Sequence, residues 1–106
     1  MVEAEIYRAL GDPTRLTIVR RLAAGAPATI GELSKNLGIS RQGARKQLQV
    51  LVSANVVHLV PKGRETQVVL DPATLQQARE FISGLEFQWD QRLEALKAFV
   101  EGDSEA

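Results

Sequence analysis

The chain has 106 residues, one histidine, no cysteine, and 13 basic and 13 acidic side chains that give a formal net charge of zero. This length favours a single domain over residues 1–106, and the lack of cysteine excludes disulfides, thiolate metal sites and thiol redox chemistry. Because there is neither an apolar run of roughly 20 residues nor a signal-peptide pattern, we expect a cytoplasmic protein without a membrane contact.

Two helices are predicted at the N-terminal end of the chain. The first is amphipathic, spans Val2–Leu10 and ends at Gly11. The second begins with Asp12 as N-cap and Pro13 at the first helical position, and Gly25 is suited to end it. Its core-facing residues are predicted to be Leu16, Val19, Leu22 and Ala23.

Residues 29–54 have the pattern of a helix-turn-helix, in which two short helices are joined by a tight turn that contains glycine. Thr29 and Glu32 form a capping box, and Gly38 is suited to end the short helix that follows. Ser40 is suited to cap the second helix, which ends near Asn55. Its apolar face consists of Ala44, Leu48, Leu51 and Val52.

The opposite face of this second helix carries side chains that can read base edges in the major groove of DNA. Arg and Lys donate hydrogen bonds to guanine, and Gln pairs with adenine. Gly43 allows two interpretations: either it lets the DNA backbone approach closely, or it is simply tolerated at a cost of up to ~1 kcal/mol. The predicted DNA-binding residues of this helix are Ser40, Arg41, Gln42, Gly43, Arg45, Lys46 and Gln49.

Residues 56–70 change to the two-residue period of β-strands and predict a hairpin, the wing, around the turn PKGRE. Lys62 and Arg64 lie at its tip, where we expect them to contact a DNA phosphate. The alternation places His58 toward solvent or the other face of the hairpin. The predicted core-facing residues of the two strands are Val57, Leu59, Thr66, Val68 and Leu70.

Asp71 and Pro72 mark the start of the last helix. If it is unbroken over residues 73–100 it extends about 40 Å, which exceeds the core of a compact domain of this size. We therefore expect the helix to pack against a second copy of the chain, and the alternative is a fold-back at Gly84. The predicted dimer interface consists of Ile6, Leu10, Ile82, Leu85, Trp89, Leu93 and Leu96.

Charge is distributed unevenly along these predicted elements. Residues 1–32 contain four basic and four acidic groups, and residues 65–106 contain three basic and nine acidic groups. The intervening residues 33–64 contain no acid and six basic residues, Lys35, Arg41, Arg45, Lys46, Lys62 and Arg64. Such a basic, acid-free stretch favours a polyanionic partner, although chance clustering on a solvated surface is the alternative.

Over about residues 6–100 the chain resembles the ArsR family of bacterial winged helix-turn-helix repressors. The resemblance rests on ALGDPTRLTIVRRL, TIGELSKNLGISRQGARKQLQVLVSANVV and KGRETQVVLD. The ending WDQRLEALKAFV is similar to a cysteine-free branch of that family with a Trp-containing C-terminal helix. The resemblance implies a mainly α fold of order α-α-α-α-β-β-α and a homodimer held by residues 1–10 and 72–100. It also implies a palindromic DNA operator.

The chain departs from the metal-sensing members of that family. Those members carry cysteine where this chain has IGELSKN, or His and acidic ligands in the last helix. Here the last helix offers only carboxylates such as Glu86, Asp90 and Glu94, which prefer hard ions. We therefore expect no metal site and no cofactor. Gln47 replaces a histidine that is common in the recognition helix of the family.

Three classes of function compete for this sequence. The main hypothesis is a sequence-specific DNA-binding transcriptional regulator, in particular a homodimeric repressor. The alternative is a winged-helix interaction module whose basic face binds an acidic protein, and the two are distinguished by duplex binding with a steep salt dependence. An enzyme is the least supported, because no nucleophile and base can be paired. The sequence does not identify a small-molecule effector.

Overall fold

The computed structural model describes residues 1–25 and 28–105, with side chains described up to residue 102. Its elements are α1 (Val2–Leu10), α2 (Pro13–Ala24), β1 (Ala28–Thr29), α3 (Ile30–Ser34), α4 (Arg41–Ser53), β2 (Val57–Lys62), β3 (Glu65–Leu70) and α5 (Pro72–Glu105). The strands form an antiparallel sheet of order β1-β3-β2. The predicted winged helix-turn-helix is confirmed, and β1 is an addition to it. No helix within the described residues could span a membrane.

The predicted helix starts are confirmed, since side-chain oxygens accept backbone N–H groups that lack a partner in the first turn. The capping box of Thr29 and Glu32 is present at the start of α3. Asn55 follows α4 with a left-handed φ of 60°. The other caps join Asp12 to the Arg15 N–H at 3.0 Å, Ser40 to the Gly43 N–H at 3.0 Å and Asp71 to the Ala73 N–H at 2.8 Å.

Helix α3 ends at Ser34, earlier than the predicted stop at Gly38. The reason is a side chain from α2: the Arg21 guanidinium donates to the carbonyl oxygens of Leu33 at 3.1 Å and Lys35 at 2.5 Å. It thereby supplies donors that the last carbonyls of a helix lack. Gly38 lies in the turn that follows, with a left-handed φ of 73°.

The predicted core faces of α2 and of the wing need correction. On α2 the buried residues are Ile18 and Leu22, whereas Leu16 is 44% exposed and Ala23 is also exposed. Apolar residues occur on several sides of this helix, so its sequence left the inward face ambiguous. In the wing, Leu59 is 43% exposed although it pairs directly with buried Val68, because β2 is an edge strand and β3 is the central strand of the sheet. Thr66 is exposed because it lies nearer the tip of the hairpin, opposite Pro61.

Helix α5 is continuous through Gly84, so the fold-back alternative is wrong. Within the described residues, only its first turns pack against the other elements. The Tyr7 hydroxyl donates to the Ala78 carbonyl at 2.5 Å, and the rings of Tyr7 and Phe81 lie 6.0 Å apart. At 1.5 Å per residue, α5 is about 51 Å long, and the molecule measures 74 × 26 × 25 Å.

Ile6 was predicted as a dimer contact, and this prediction is wrong. Its side chain is 0% exposed and belongs to the core of its own chain, together with Ile18, Leu51 and Val68. An amphipathic helix turns its apolar stripe toward the core of its own domain. Leu10, the other predicted contact on α1, is partly buried against the same core.

His58 and Asp71 form a hydrogen bond that the sequence did not reveal. The His58 Nε2 lies 2.5 Å from the Asp71 Oδ2, joining the start of β2 to the cap of α5. This hydrogen bond, assisted by the backbone N–H groups of Ala73 and Thr74, lowers the pKa of Asp71 below 3.8. His58 remains about half exposed, as the strand alternation predicted.

Replacing Asp71 by Asn should reduce the loss of stability in acid. A carboxyl whose pKa is lowered by folding stabilises the fold above its unfolded pKa, and this contribution disappears as pH falls through the folded pKa. The free energy of unfolding of wild type should therefore approach that of Asp71→Asn as pH falls from about 5 through the folded pKa of Asp71, which lies below 3.8. Urea titrations at each pH measure it. A difference that stays constant with pH would contradict the prediction.

Candidate nucleic-acid interface

Helix α4, the recognition helix, presents the predicted base-reading side chains to solvent. Arg41, Gln42, Arg45, Lys46 and Gln49 are all exposed. The opposite face is buried, with Ala44, Leu48 and Leu51 at most 2% exposed. Within the described residues, none of the five exposed side chains makes a hydrogen bond or an ion pair. Their polar groups are therefore free to bind a partner.

Ser40 and Gly43, two further predicted contacts, have local roles at the start of the recognition helix. The Ser40 Oγ accepts the Gly43 N–H. A Cβ added at Gly43 would lie 3.2 Å from that Oγ and 3.6 Å from the Ile39 Cβ. The glycine thus leaves room for the capping hydroxyl, which explains it without a close approach of DNA. The Ser40 hydroxyl retains its own proton for donation.

The wing brings its two predicted contacts to the tip, as expected. Lys62 ends β2 and pairs with Glu65, so the turn contains only Gly63 and Arg64. Gly63 takes a left-handed φ of 62° at the first turn position, which suits glycine in a two-residue hairpin loop. Lys62 and Arg64 are exposed.

Strand β1 fixes the wing to the helix-turn-helix, which the sequence did not indicate. Ala28 pairs with Val68, and Thr29 pairs with Gln67. Two residues are too few to show the period of a strand. As a result, Arg64 of the wing lines the same cleft as Arg41 and Arg45 of the recognition helix.

Four of the six basic residues of the acid-free stretch line two adjoining clefts. The cleft of Arg41, Arg45 and Arg64 adjoins a second one lined by Arg41 and Lys35. Two carboxylates border these clefts: Glu65 lines the first, and Glu32 lines the second while serving the α3 capping box. The folded surface therefore keeps the excess of positive charge that the sequence predicted.

Gln47 does not belong to the exposed face of the recognition helix. It is partly buried, and its Oε1 accepts a hydrogen bond of 2.8 Å from the Arg15 Nη1. The Arg15 Nε donates to the Ala9 carbonyl at 2.7 Å. One guanidinium therefore connects α1, α2 and α4. Sequence reasoning missed this contact, because Arg15 and Gln47 are 32 residues apart.

Exposed apolar residues continue along one side of α5. Trp89 on this side is 56% exposed. Phe87 lies on the other side, about 200° away around the helix at 100° per residue, and is 62% exposed. Contiguous apolar surface of this kind marks an interaction site. The predicted interface residues on this side, each 44% to 56% exposed in the single chain, are Ile82, Leu85, Trp89, Leu93 and Leu96.

The carboxylates of α5 do not converge. Glu86, Asp90 and Glu94 are exposed, and no group of three or more His, Asp or Glu side chains among the described residues is placed to hold a metal ion.

Comparisons with known proteins agree with this geometry. A helix-turn-helix domain family model matches residues 10–60. The chain is 33% identical over 99 residues to the HTH-type transcriptional regulator Rv2034 of Mycobacterium tuberculosis, covering 93% of this chain and 89% of that protein. An ArsR-like transcriptional regulator from Rhodococcus sp. RHA1 has a TM-score of 0.83 and 31% identity, with 92% of each chain covered.

A third comparison concerns the fold alone. The homodimeric winged helix-turn-helix DNA-binding domain Mb0332 of Mycobacterium bovis has a TM-score of 0.62 and 22% identity, covering 86% of this chain and 81% of that one.

Replacing Arg15 by Ala should destabilise the protein, because it removes the bonds that join α1, α2 and α4. Hydrogen bonds of charged groups are worth about 1.5 to 3 kcal/mol, and we expect a decrease of that size in the free energy of unfolding. Arg20→Ala is the control, since Arg20 is an exposed arginine on the same helix. Urea unfolding at one protein concentration measures both. Equal losses in the two variants would contradict the role of Arg15.

Proposed function

The chain belongs to the ArsR family of winged helix-turn-helix transcriptional regulators, and on that premise we propose that it is a homodimeric repressor of a palindromic DNA operator. One observation carries the proposal. Basic and amide side chains of the acid-free stretch, unpaired within the described residues, lie on the exposed face of α4 and on the wing beside it. Such a surface matches the phosphates and base edges of a duplex.

In this proposal the recognition helix enters the major groove. Gln42, Lys46 and Gln49 lie on the side of α4 opposite Ala44 and Leu48, so they reach base edges when the helix lies in the groove. The wing extends beside it, and Lys62 at its tip contacts the sugar-phosphate backbone. Repression follows if the bound protein excludes polymerase from a promoter.

The homodimer supplies the second recognition helix. A palindromic operator presents two half-sites about 34–36 Å apart, and one chain has a single α4 to place in them. The exposed apolar side of α5 supports pairing with a second copy, in which Trp89 and Leu93 contact the partner's α5 and the edge of its α1 near Leu10. The description of Mb0332 as homodimeric supports self-association of this chain.

Binding-site selection from random duplex DNA tests the proposal directly. We expect the purified full chain to recover a palindrome, and its affinity should fall steeply with salt because phosphate contacts release counterions. Recovery of an unrepeated half-site would contradict the dimer. Absence of duplex binding at low salt, together with binding to an acidic protein, would favour the interaction-module alternative.

Gln42→Ala and Lys46→Ala should relax the base preference of the protein. A good base contact contributes about 1 to 3 kcal/mol of discrimination, so the ratio of affinities for selected and mismatched duplexes should fall by about 5-fold to 150-fold. Gln91→Ala, which removes an exposed amide from α5, is the matched control. Fluorescence anisotropy on the two duplexes measures the ratio. Wild-type ratios in both α4 variants would show that another face reads the bases.

Trp89→Ala should weaken the dimer. Burial of a large apolar side chain is worth about 1.5 to 3 kcal/mol. A symmetric dimer buries Trp89 of both copies and loses this contribution twice, so the dimer Kd should rise by about 100-fold or more. Phe87→Ala is the control, because Phe87 is an equally exposed aromatic on the other side of α5. Sedimentation equilibrium measures both. A wild-type monomer at tens of micromolar, which corresponds to a dimerisation free energy weaker than roughly 6 kcal/mol, would rule out this interface.

A further inference from the structure

Arg41 and Arg45 of the recognition helix and Arg64 of the wing line one cleft between these two elements. We propose that this arginine cleft binds a single phosphate of the DNA backbone, which the three guanidinium groups hold together. The inference rests on the proposed function and divides its surface into two parts. The arginines hold the backbone, whereas Gln42, Lys46 and Gln49 remain for the bases.

The first argument is the charge balance of the cleft. It contains three guanidinium groups and one carboxylate, that of Glu65. Within the described residues, none of the three arginines makes a hydrogen bond or an ion pair. Other arginines of this chain do find internal partners, as Arg15 and Arg21 show. Unpaired like charges that line one cleft repel each other, and a bound anion would remove that repulsion.

The second argument is the space beside Arg41. A Cβ added at Gly31 of α3 would lie 3.4 Å from the Arg41 Nη2 and 3.9 Å from its Cζ. The guanidinium therefore lies against the backbone of α3, and a side chain much larger than methyl at position 31 would displace it. Such placement orients the planar group, which improves its bidentate bonding to phosphate oxygens.

The third argument is that the walls of the cleft are held in register. Thr29 of β1 pairs with Gln67 of β3. Thr29 and Thr66, the residue before Gln67 on β3, both line the cleft. The same sheet therefore positions the start of α3 and the strand that leads back from Arg64. A site whose walls are already joined loses less entropy when it binds an anion.

Inorganic phosphate tests the cleft without DNA. We expect the Nε–H resonances of Arg41, Arg45 and Arg64 to shift together during an NMR titration of the full chain, with one shared Kd. Single Arg→Lys variants assign the three signals, and exposed Arg20 serves as the unshifted control. Three unrelated Kd values, or shifts no larger than those of Arg20, would overturn the shared site.

Neutral methylphosphonate links, placed one at a time along a duplex obtained by selection, test the DNA phosphate. In wild type, one link in each half-site should lower the affinity by about 10-fold or more, and Arg41→Gln and Arg64→Gln should both reduce that effect at the same link. Lys62→Gln, a wing-tip control outside the cleft, should preserve it. Circular dichroism confirms that these exposed-site variants fold.

The possible failures are distinguishable. If Arg41→Gln and Arg64→Gln lose sensitivity at different links while the duplex still binds, the shared phosphate is wrong and the proposed function stands. If inorganic phosphate binds but no duplex does, the DNA source is wrong, and the proposed function fails with it.

Discussion

One guanidinium, that of Arg15, links the recognition helix to both N-terminal helices. Its bonds to the Ala9 carbonyl and to Gln47 fix α4 relative to α1 and α2. The Asp12 carboxylate accepts a hydrogen bond from the Arg15 backbone N–H in the same turn, so the backbone of Arg15 is held as well as its guanidinium. The exposed face of α4 can be specific only if this inner side is rigid, because a base contact tolerates little displacement.

Local chemistry accounts for the features that the sequence predicted. Asp12, Thr29, Ser40 and Asp71 each cap a helix through atoms no more than three residues away, so a short window of sequence contains the whole interaction. The basic surface was predictable for a related reason. Its residues are close in sequence, and two consecutive elements carry most of them.

The missed features depend on contacts between distant residues. The early end of α3 depends on Arg21, and the cap of α5 also binds His58, 13 residues away. The buried face of α2 was misassigned because Ile18 and Leu16 are both apolar, and only the neighbouring elements decide which one is covered. The arginine cleft required β1, whose two residues carry no periodic signal.

The long overhang of α5 makes folding and association parts of one equilibrium in the proposed homodimer. Its apolar side has no cover within the described part of a single chain, so the assembled form is stabilised by mass action. Thermal unfolding would then shift with protein concentration, as it does for obligate dimers. Dilution would then destabilise the fold, and the number of copies in a cell would set both the folded fraction of the chain and the occupancy of the proposed operator.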